Sequence, residues 1–404
     1  MKRVLAILVD AFRYDFLADK YTPFLYSMSR RGFYVPLRPI LGFSDAIRAT
    51  VFTGTYPNVH NYWIMYRYSQ ETSPFRMFKP LKFIDYVPVD VLRRGLKFVL
   101  SATLCKILGG IYDYDELTTR NIPFKMIHLF DFASKRSMLS PRVFNGLPTL
   151  FDVLRKHNVK FSYLDSSKLR GRLLRVLGRL TPGIQVIVVY LHYLDYAAHR
   201  YGLNSSYFWR WLRNIDETVK SIVKCVKQHF GDELDVIVFS DHGMIETTKY
   251  LNFDWLLRNK KFGSDFLFFL DSTMVRLWYM NFDVKEEVRE LFKKLGCGTF
   301  LSENERKKLR INFSHRYYGD DIYLLKPGYS IFPNFISWLK PKAMHAYHPK
   351  YDHQLGIAIF SGQELGRIDR NIKTVELVDV MPTILDVLGL EIPDSCEGSS
   401  LLHK

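Results

Sequence analysis

The stretch Val236-Ile237-Val238-Phe239-Ser240-Asp241-His242-Gly243 joins a short apolar run to an acid, a histidine and a glycine. An apolar run of this length, without polar alternation, is typical of a central strand that helices cover on both faces. Comparable runs occur at residues 3–9, 184–191 and 355–360. The sequence therefore predicts several buried strands in one sheet.

Helical patterns lie between the predicted strands. They cover residues 149–156, 207–229 and 284–295. Strands that alternate with helices indicate an α/β fold, and we expect a three-layer α/β/α sandwich around a central, mostly parallel sheet. Ligands of such folds bind beyond the carboxyl ends of the strands. Asp10, Asp195 and the Asp241-His242 pair each follow a predicted strand, so we expect these side chains to lie close together.

Two long segments fit this core pattern poorly. The chain of 404 residues suffices for a single large α/β domain, and we interpret residues 66–145 and 250–340 as insertions in it. The first is rich in aromatic and basic residues and is expected to form a cap. The second is expected to carry a small accessory sheet, with strands at residues 266–270 and 274–279. Within the first, residues 91–112 are apolar and basic at helical spacing. They are either a cap helix packed on the core or an interfacial helix that contacts lipid.

The net charge of +16 has three possible interpretations. They are a solvated basic surface, steering of an anionic substrate, and attraction to nucleic acid or an anionic membrane. There is no zinc-finger spacing or RNA-recognition signature, so no specific nucleic-acid partner is expected. The first apolar run ends at Asp10, too early for a signal peptide. The four cysteines are scattered without paired spacing. We therefore expect a cytoplasmic protein with free thiols.

The segment from Gly42 to Gly54 predicts a sharp turn followed by a helix that begins at Ser44 or Asp45. A serine at a helix N-terminus lies near free amides and the positive end of the helix dipole, a place suited to an anion. A metal ion bound to its oxygen would favour the alkoxide and make it a nucleophile. The other interpretation is an ordinary capping serine.

Several acids and histidines have the spacing of metal ligands. Asp195 and His199 are four residues apart, which places them on one face of a helix. Asp241 and His242 offer an oxygen and a nitrogen on one loop. Asp10 is either a ligand or a helix N-cap. His345 has His348 and His353 nearby, and spacing alone does not choose among these three; His192, beside an apolar strand, is expected to be a core histidine.

Taken jointly, these segments resemble the type I phosphodiesterase and nucleotide pyrophosphatase branch of the alkaline phosphatase superfamily. The resemblance rests also on Thr53-Gly54-Thr55-Tyr56-Pro57, on His345-Ala346-Tyr347 and on the tail around residues 379–385. It implies two divalent metal ions, zinc or manganese, around a serine nucleophile at Ser44. The ligands implied are Asp195, His199 and His345 for one ion, and Asp10, Asp241 and His242 for the other.

Two positions depart from that family. Asp45 stands where nucleotide-cleaving members carry a phenylalanine, and Met65 stands where they carry an asparagine that holds a phosphate oxygen. Candidate replacement contacts to the substrate are Arg48, Asn61, Tyr62 and Trp63. These changes leave the implied metal chemistry intact and put a nucleotide substrate in doubt.

The function predicted from the sequence is metal-dependent hydrolysis of an anionic phosphate ester through a covalent phosphoryl intermediate. The aromatic insertion at residues 66–145 favours a bulky leaving group, and therefore a diester. A phosphomonoesterase and a phosphotransferase of the same superfamily are alternatives. A metal-containing binding protein without catalysis is a third.

Overall fold

A computed structural model describes residues 2–87, 92, 95–100, 103, 121–169, 171–181, 183–231, 233–337 and 339–403, apart from the side chains of Ser44 and Asp45. The chain divides into two compact units. The first unit comprises Met1–His60, Pro141–Glu246 and Lys342–Lys404, and the second comprises Asn61–Ser140 and Thr247–Pro341. The segments predicted as insertions, 66–145 and 250–340, fall in the second unit except for residues 141–145.

The described strands are numbered in chain order. They are β1 Val4–Val9, β2 Phe33–Arg38, β3 Tyr66–Tyr68, β4 Phe130–Phe132, β5 Phe161–Asp165, β6 Val186–Leu191, β7 Asp235–Phe239, β8 Ile245–Glu246, β9 Lys249–Leu251, β10 Phe266–Leu270, β11 Met274–Tyr279, β12 Gly298–Phe300, β13 Asp321–Leu325, β14 Tyr329–Ile331, β15 Ala343–Met344, β16 Gly356–Ser361 and β17 Val375–Glu376.

The described α-helices are numbered in the same way. They are α1 Pro23–Arg31, α2 Ser44–Thr53, α3 Pro57–His60, α4 Phe124–Ile127, α5 Leu150–Lys156, α6 Ser166–Leu169, α7 Leu173–Leu177, α8 Tyr193–Tyr201, α9 Ser206–Phe230, α10 Asp254–Leu257, α11 Lys285–Lys293, α12 Glu303–Lys308 and α13 Val380–Val387. Turns of 3-10 helix cover Tyr14–Phe16, Pro74–Tyr86, Phe282–Val284, Asp352–Gln354, Leu365–Arg367 and Leu377–Asp379.

The first unit is built on a seven-stranded sheet of order β17-β2-β16-β7-β1-β6-β5. Strands β5, β6, β1 and β7 run parallel, and β16 runs antiparallel to both of its neighbours. Every residue of β1, β6 and β7 is buried. The predicted α/β fold with a mostly parallel central sheet is therefore confirmed.

The strand register brings three loops to one edge of this sheet. Val9 pairs with Leu191 on one side of β1, and Leu8 pairs with Phe239 on the other. The three strands thus end level with one another. The residues that follow them leave the sheet at the same edge, where α/β folds bind ligands.

Helix α9 covers this sheet with an apolar stripe. Its buried residues include Phe208, Leu212, Ile215, Val219 and Ile222, which recur three and four positions apart. They join a core cluster with the strand residues, and each fully buried apolar side chain contributes about 1.5–3 kcal/mol. This packing fixes the helix against one face of the sheet.

The second unit contains the predicted accessory sheet. Its four antiparallel strands have the order β10-β11-β13-β12, and β10 and β11 begin and end where the sequence predicts. Arg276 of β11 is fully buried and pairs with Asp271, the Nε–Oδ2 distance being 2.7 Å. Its guanidinium lies over the rings of Phe269 and Trp278, so the charge is both paired and stacked.

Three further predictions concern the helix at residues 91–112, the state of the cysteines and membrane-spanning segments. Of residues 91–112, the structure describes only 92, 95–100 and 103, so the helix predicted there lies largely outside the described residues. The described cysteines, Cys225, Cys297 and Cys396, are free thiols. Among the residues described, no helix is long and apolar enough to cross a membrane.

Candidate metal centre

The structure brings together all six predicted metal ligands within the first unit. Asp10 follows β1, Asp241 and His242 follow β7, Asp195 and His199 lie on α8, and His345 follows β15. Two overlapping groups arise, namely Asp10 with Asp241 and His242, and Asp195 with His242 and His345. In each group the candidate ligand atoms lie within 4.8 Å of one another.

The first group is deeply buried. His242 Nε2 lies 3.2 Å from Asp10 Oδ1 and 3.8 Å from Asp241 Oδ2. None of these three side chains is more than 3% exposed. Carboxylate oxygens and one imidazole nitrogen therefore surround an enclosed position at the carboxyl ends of the strands.

The second group, with His199 beside Asp195, is open to solvent on one side. Asp195 Oδ1 lies 3.2 Å from His199 Nε2 and 3.9 Å from His345 Nε2. The side chains of Asp195 and His199 are 21% and 27% exposed. The rings of His242 and His345 stack at 3.8 Å between centroids and join the two groups. The site therefore has a closed end and an open end.

The carboxylates each direct one oxygen into the space between the ligands. Asp241 Oδ1 accepts hydrogen bonds from the amides of Ala11 at 3.2 Å and His242 at 3.1 Å, and the Tyr190 hydroxyl donates to Asp10 Oδ2. Within the described part of the chain, Asp10 Oδ1, Asp195 Oδ1, Asp241 Oδ2 and His242 Nε2 have no aligned hydrogen-bond partner. Buried polar atoms without partners are costly. Divalent cations would satisfy them, so the residues fit a metal centre.

Backbone carbonyl groups orient two of the histidines. His199 Nδ1 lies 2.8 Å from the Ala343 carbonyl oxygen, and His242 Nδ1 lies 2.9 Å from that of Gly243. A carbonyl oxygen can only accept, so each Nδ1 donates its proton. The Nε2 atom of each ring is thereby turned toward the acids, as in metal-bound histidines.

The carboxylates dominate the charge around His242. Burial and the neighbouring Asp10 carboxylate raise the pKa of Asp241 to about 7. Burial alone would lower the pKa of His242, but Asp241 and Asp10 outweigh it and raise that pKa to about 10. Burial, with His242 and His199 nearby, holds the pKa of His345 well below its ordinary value, so this ring is neutral. The field that favours a proton on His242 also favours a divalent cation.

Unusual backbone conformations flank the ligands. Ala11 and Ala346, which directly follow Asp10 and His345, have φ angles of 62° and 60°. This left-handed region is strained for residues other than glycine, and such strain concentrates at functional sites. Gly243 is required for space, because a Cβ atom there would lie 2.3 Å from the His353 carbonyl oxygen.

Helix α2 begins beside the metal centre. Ser44 is its first residue, and the ring of the preceding residue, Phe43, meets the ring of His345 edge-on at 5.5 Å. One turn later, the Arg48 guanidinium lies over the Tyr190 ring at 5.4 Å. The backbone of Ser44 therefore starts next to a ligand, while its side chain lies outside the described residues.

The C-terminal tail holds the other end of α2. Gly54 ends the helix with a φ angle of 65°, and its carbonyl oxygen accepts from the amides of Glu397 at 2.8 Å and Gly398 at 3.1 Å. A Cβ atom on Gly54 would meet Cys396 Sγ at 2.3 Å. The glycine predicted to end this helix is thus also needed for close contact with the tail.

The remaining predicted contacts lie in the second unit. The Asn61 backbone carbonyl accepts from the Tyr318 hydroxyl at 2.9 Å, and burial raises the pKa of Tyr62. Trp63 is fully buried and packs on Phe313 and Tyr318. Roles of Asn61, Tyr62 and Trp63 in substrate binding stay predictions, and the burial of Trp63 favours a packing role for its ring.

The structure distinguishes the other histidines from the ligands. His192 Nδ1 lies 2.9 Å from Ser166 Oγ, and the His353 ring stacks on Tyr351. Neither His192, His348 nor His353 belongs to a metal-binding group among the described residues. Of the histidines at 345, 348 and 353, His345 is therefore the one that lies in the candidate metal centre of the described chain.

Sequence reasoning missed Tyr190. It is the penultimate residue of β6, and its buried hydroxyl holds Asp10 Oδ2, which leaves Oδ1 for a cation. The signal was a tyrosine at the carboxyl end of an otherwise aliphatic strand, one position before its end. A polar group there is expected to reach the residues beyond the neighbouring strand.

Comparisons with known proteins agree with the fold and show the family of the chain. The family model "Type I phosphodiesterase / nucleotide pyrophosphatase" matches residues 4–348. Murine ectonucleotide pyrophosphatase/phosphodiesterase 5, an inactive variant in complex with AMP, is similar at 13% identity and a TM-score of 0.69, covering 99% of this chain and 98% of that chain. The human protein of the same name is similar at 14% identity and a TM-score of 0.69, covering 98% and 97%. No curated protein matches the chain.

Proposed function

Because the chain belongs to the type I phosphodiesterase/nucleotide pyrophosphatase family and is a phosphoric ester hydrolase, we propose that it cleaves phosphodiesters at a two-metal centre. The proposed ligands are Asp10, Asp241 and His242 at the closed end, and Asp195, His199 and His345 at the open end. The observation that supports the proposal is the set of buried carboxylate and imidazole atoms that make no aligned hydrogen bond and that, in each group, lie within 4.8 Å of one another.

Two divalent ions at such a centre would polarise the phosphate and stabilise the entering and leaving oxygens. A mixed set of carboxylates and imidazoles suits zinc, and manganese accepts the same donors. The three carboxylates compensate the charge of the cations in a buried position. The carbonyl groups of Ala343 and Gly243 hold the His199 and His242 rings in the orientation that binding requires.

Ser44 is the proposed nucleophile. Its oxygen forms a bond to phosphorus, the ester bond opposite breaks, and the alcohol leaves with a proton. Water then cleaves the bond between the serine oxygen and phosphorus, which releases a phosphomonoester and restores the serine. The position of Phe43 against His345 supports this role, since it starts α2 beside the ligands. The positive end of the α2 dipole would favour the anionic phosphate.

The leaving group is proposed to depart at the open end of the site. Asp195 and His199 are partly exposed, whereas Asp10, Asp241 and His242 are enclosed. A bulky alcohol could leave only where solvent reaches the centre. The AMP complex of the murine neighbour makes nucleotide diesters one class to screen, although Asp45 replaces the residue on which the base would stack.

Hydrolysis of bis-p-nitrophenyl phosphate compared with p-nitrophenyl phosphate tests the proposed reaction. We expect the metal-loaded enzyme to turn over the diester with the higher kcat/KM, since the family acts on diesters. A clear preference for the monoester would replace the proposal with a phosphatase. Acceptor alcohols added to the assay would reveal phosphotransfer by changing the product ratio.

Changing Tyr190 to Phe should weaken metal binding by about 10–100-fold, because the Asp10 carboxylate loses the hydroxyl that orients it. The measurement is competition for zinc between the stripped protein and a chromophoric chelator. Tyr323→Phe is the matched control, since that buried hydroxyl donates to the Phe292 carbonyl in the second unit. Equal zinc affinity in Tyr190→Phe and wild type would contradict the assigned role.

A further inference from the structure

A segment of the second unit exposes an unusual number of large apolar side chains. Seventeen such side chains are exposed in the described chain, and seven of them lie between residues 77 and 99. Their exposures are Met77 60%, Phe83 62%, Tyr86 73%, Leu92 54%, Leu96 38%, Phe98 50% and Val99 59%. On soluble proteins such residues are usually scattered singly over the surface, whereas a concentration of them indicates a contact surface.

In the helical residues 95–100, the placement of charged and apolar side chains is the reverse of that in a helix exposed to water. Lys97 turns inward and pairs with Asp85, Nζ to Oδ1 being 2.6 Å, and the two side chains are only 13% and 9% exposed. The adjacent Leu96, Phe98 and Val99 face outward. A helix in water places its cations outside and its apolar residues inside. The inverted arrangement suits an apolar medium on the outer side.

The ion pair also joins two elements of the second unit. Asp85 belongs to the turns Pro74–Tyr86, and Lys97 belongs to the helical residues 95–100. The Asp85 carboxylate further accepts from the Lys125 amide at 2.8 Å. Residues 74–86 and 95–100 are called the docking face below. Their exposed apolar side chains are thus carried on a packed base.

Basic side chains accompany the apolar ones. Arg76, Lys79 and Lys82 are exposed on the turns Pro74–Tyr86, where the single acid, Asp85, is already paired with Lys97. Burial lowers the pKa of His128, and the charges of Lys79 and Lys82 act in the same direction, so these two cations lie near one another at this ring. Exposed aromatic residues with flanking cations are typical of surfaces that lie in the headgroup region of anionic membranes.

We propose that the docking face binds peripherally to an anionic lipid bilayer. Phe83, Tyr86 and Phe98 enter the headgroup boundary, while Arg76, Lys79 and Lys82 contact lipid phosphates. Both the apolar insertion and the charge are needed, since either one alone gives weak, reversible binding. This inference concerns a surface of the second unit and does not depend on the reaction proposed above.

Co-sedimentation of the full chain with vesicles tests the proposal. Wild type is expected to bind vesicles of phosphatidylcholine with phosphatidylglycerol, to bind pure phosphatidylcholine much less, and to be released by high salt. Failure to sediment with the anionic vesicles would overturn it. Equal binding to both vesicle types, unaffected by salt, would overturn the electrostatic part.

Paired variants locate the surface. Phe83→Ser with Tyr86→Ser, and separately Lys79→Glu with Lys82→Glu, should each reduce partitioning into anionic vesicles by at least about tenfold. Matched controls are Phe282→Ser with Tyr207→Ser, exposed aromatics elsewhere, and Lys260→Glu with Lys308→Glu. Unchanged thermal unfolding shows that each variant is folded. Wild-type partitioning of both docking-face variants, or an equal loss in the controls, would refute the assigned face.

Discussion

Changing Ser44 to Ala should reduce diester hydrolysis by roughly 10⁴-fold or more while leaving metal binding intact. Removal of a nucleophile leaves only the contribution of substrate positioning and electrostatic stabilisation, and losses of that order are typical. The six proposed ligands are separate from Ser44, so the metal content should not change. The measurement is kcat/KM for bis-p-nitrophenyl phosphate beside metal content by mass spectrometry.

In the structure Phe43 stands at the capping position of α2 and Ser44 is the first helical residue, and the alternative role of Ser44 as an ordinary helix cap is tested against a capping serine in the same unit. Ser205 caps α9 by accepting a hydrogen bond from the Tyr207 amide. Loss of a capping serine costs about 0.5–2 kcal/mol of stability and nothing in catalysis. If Ser44→Ala resembles Ser205→Ala, with a small fall in thermal stability and near-normal turnover, the nucleophile assignment is wrong.

Changing His242 to Ala should reduce turnover by at least about 10²-fold and deplete bound metal. His242 Nε2 belongs to both candidate groups, and its ring stacks on His345. Its loss therefore weakens the whole centre, beyond the 10–100-fold typical of residues that only support a ligand. The measurement is zinc stoichiometry after dialysis, together with kcat/KM at saturating zinc.

Two other histidines make this prediction specific. His192 lies at the same sheet edge, hydrogen-bonded to Ser166, and His192→Ala should retain metal stoichiometry. His345→Ala should affect chiefly the open end, where His345 faces Asp195. A His242→Ala protein that retains full metal content and turnover would exclude this residue as a ligand.

Much of the fold was predictable because its central strands are buried on both faces. Apolar runs marked β1, β6, β7 and β16 to within two residues of their ends. Strand β5 was missed because it is the outermost strand of the sheet and only partly buried, and the adjacent Ser162 and Tyr163 interrupt its apolar residues. Strand β2 was missed because it contains Pro36, which lacks a donor and argues against a strand.

The residue types of the candidate site could be predicted from the sequence more readily than the contacts between them. Spacing placed Asp195 and His199 on one helical turn, and the structure has them 3.2 Å apart. Spacing did not separate His345 from its neighbours, because that choice depends on how the loop after β15 folds back. Tyr190 and the two orienting carbonyl groups depend on register between strands and on backbone direction, which a single sequence does not encode locally.

Titration of zinc into the metal-stripped enzyme, with turnover of bis-p-nitrophenyl phosphate followed at each addition, tests the two-metal centre most directly. We expect no turnover in the stripped protein and recovery that saturates at two equivalents of zinc per chain. Full turnover in the stripped protein, or recovery complete at one equivalent, would contradict it.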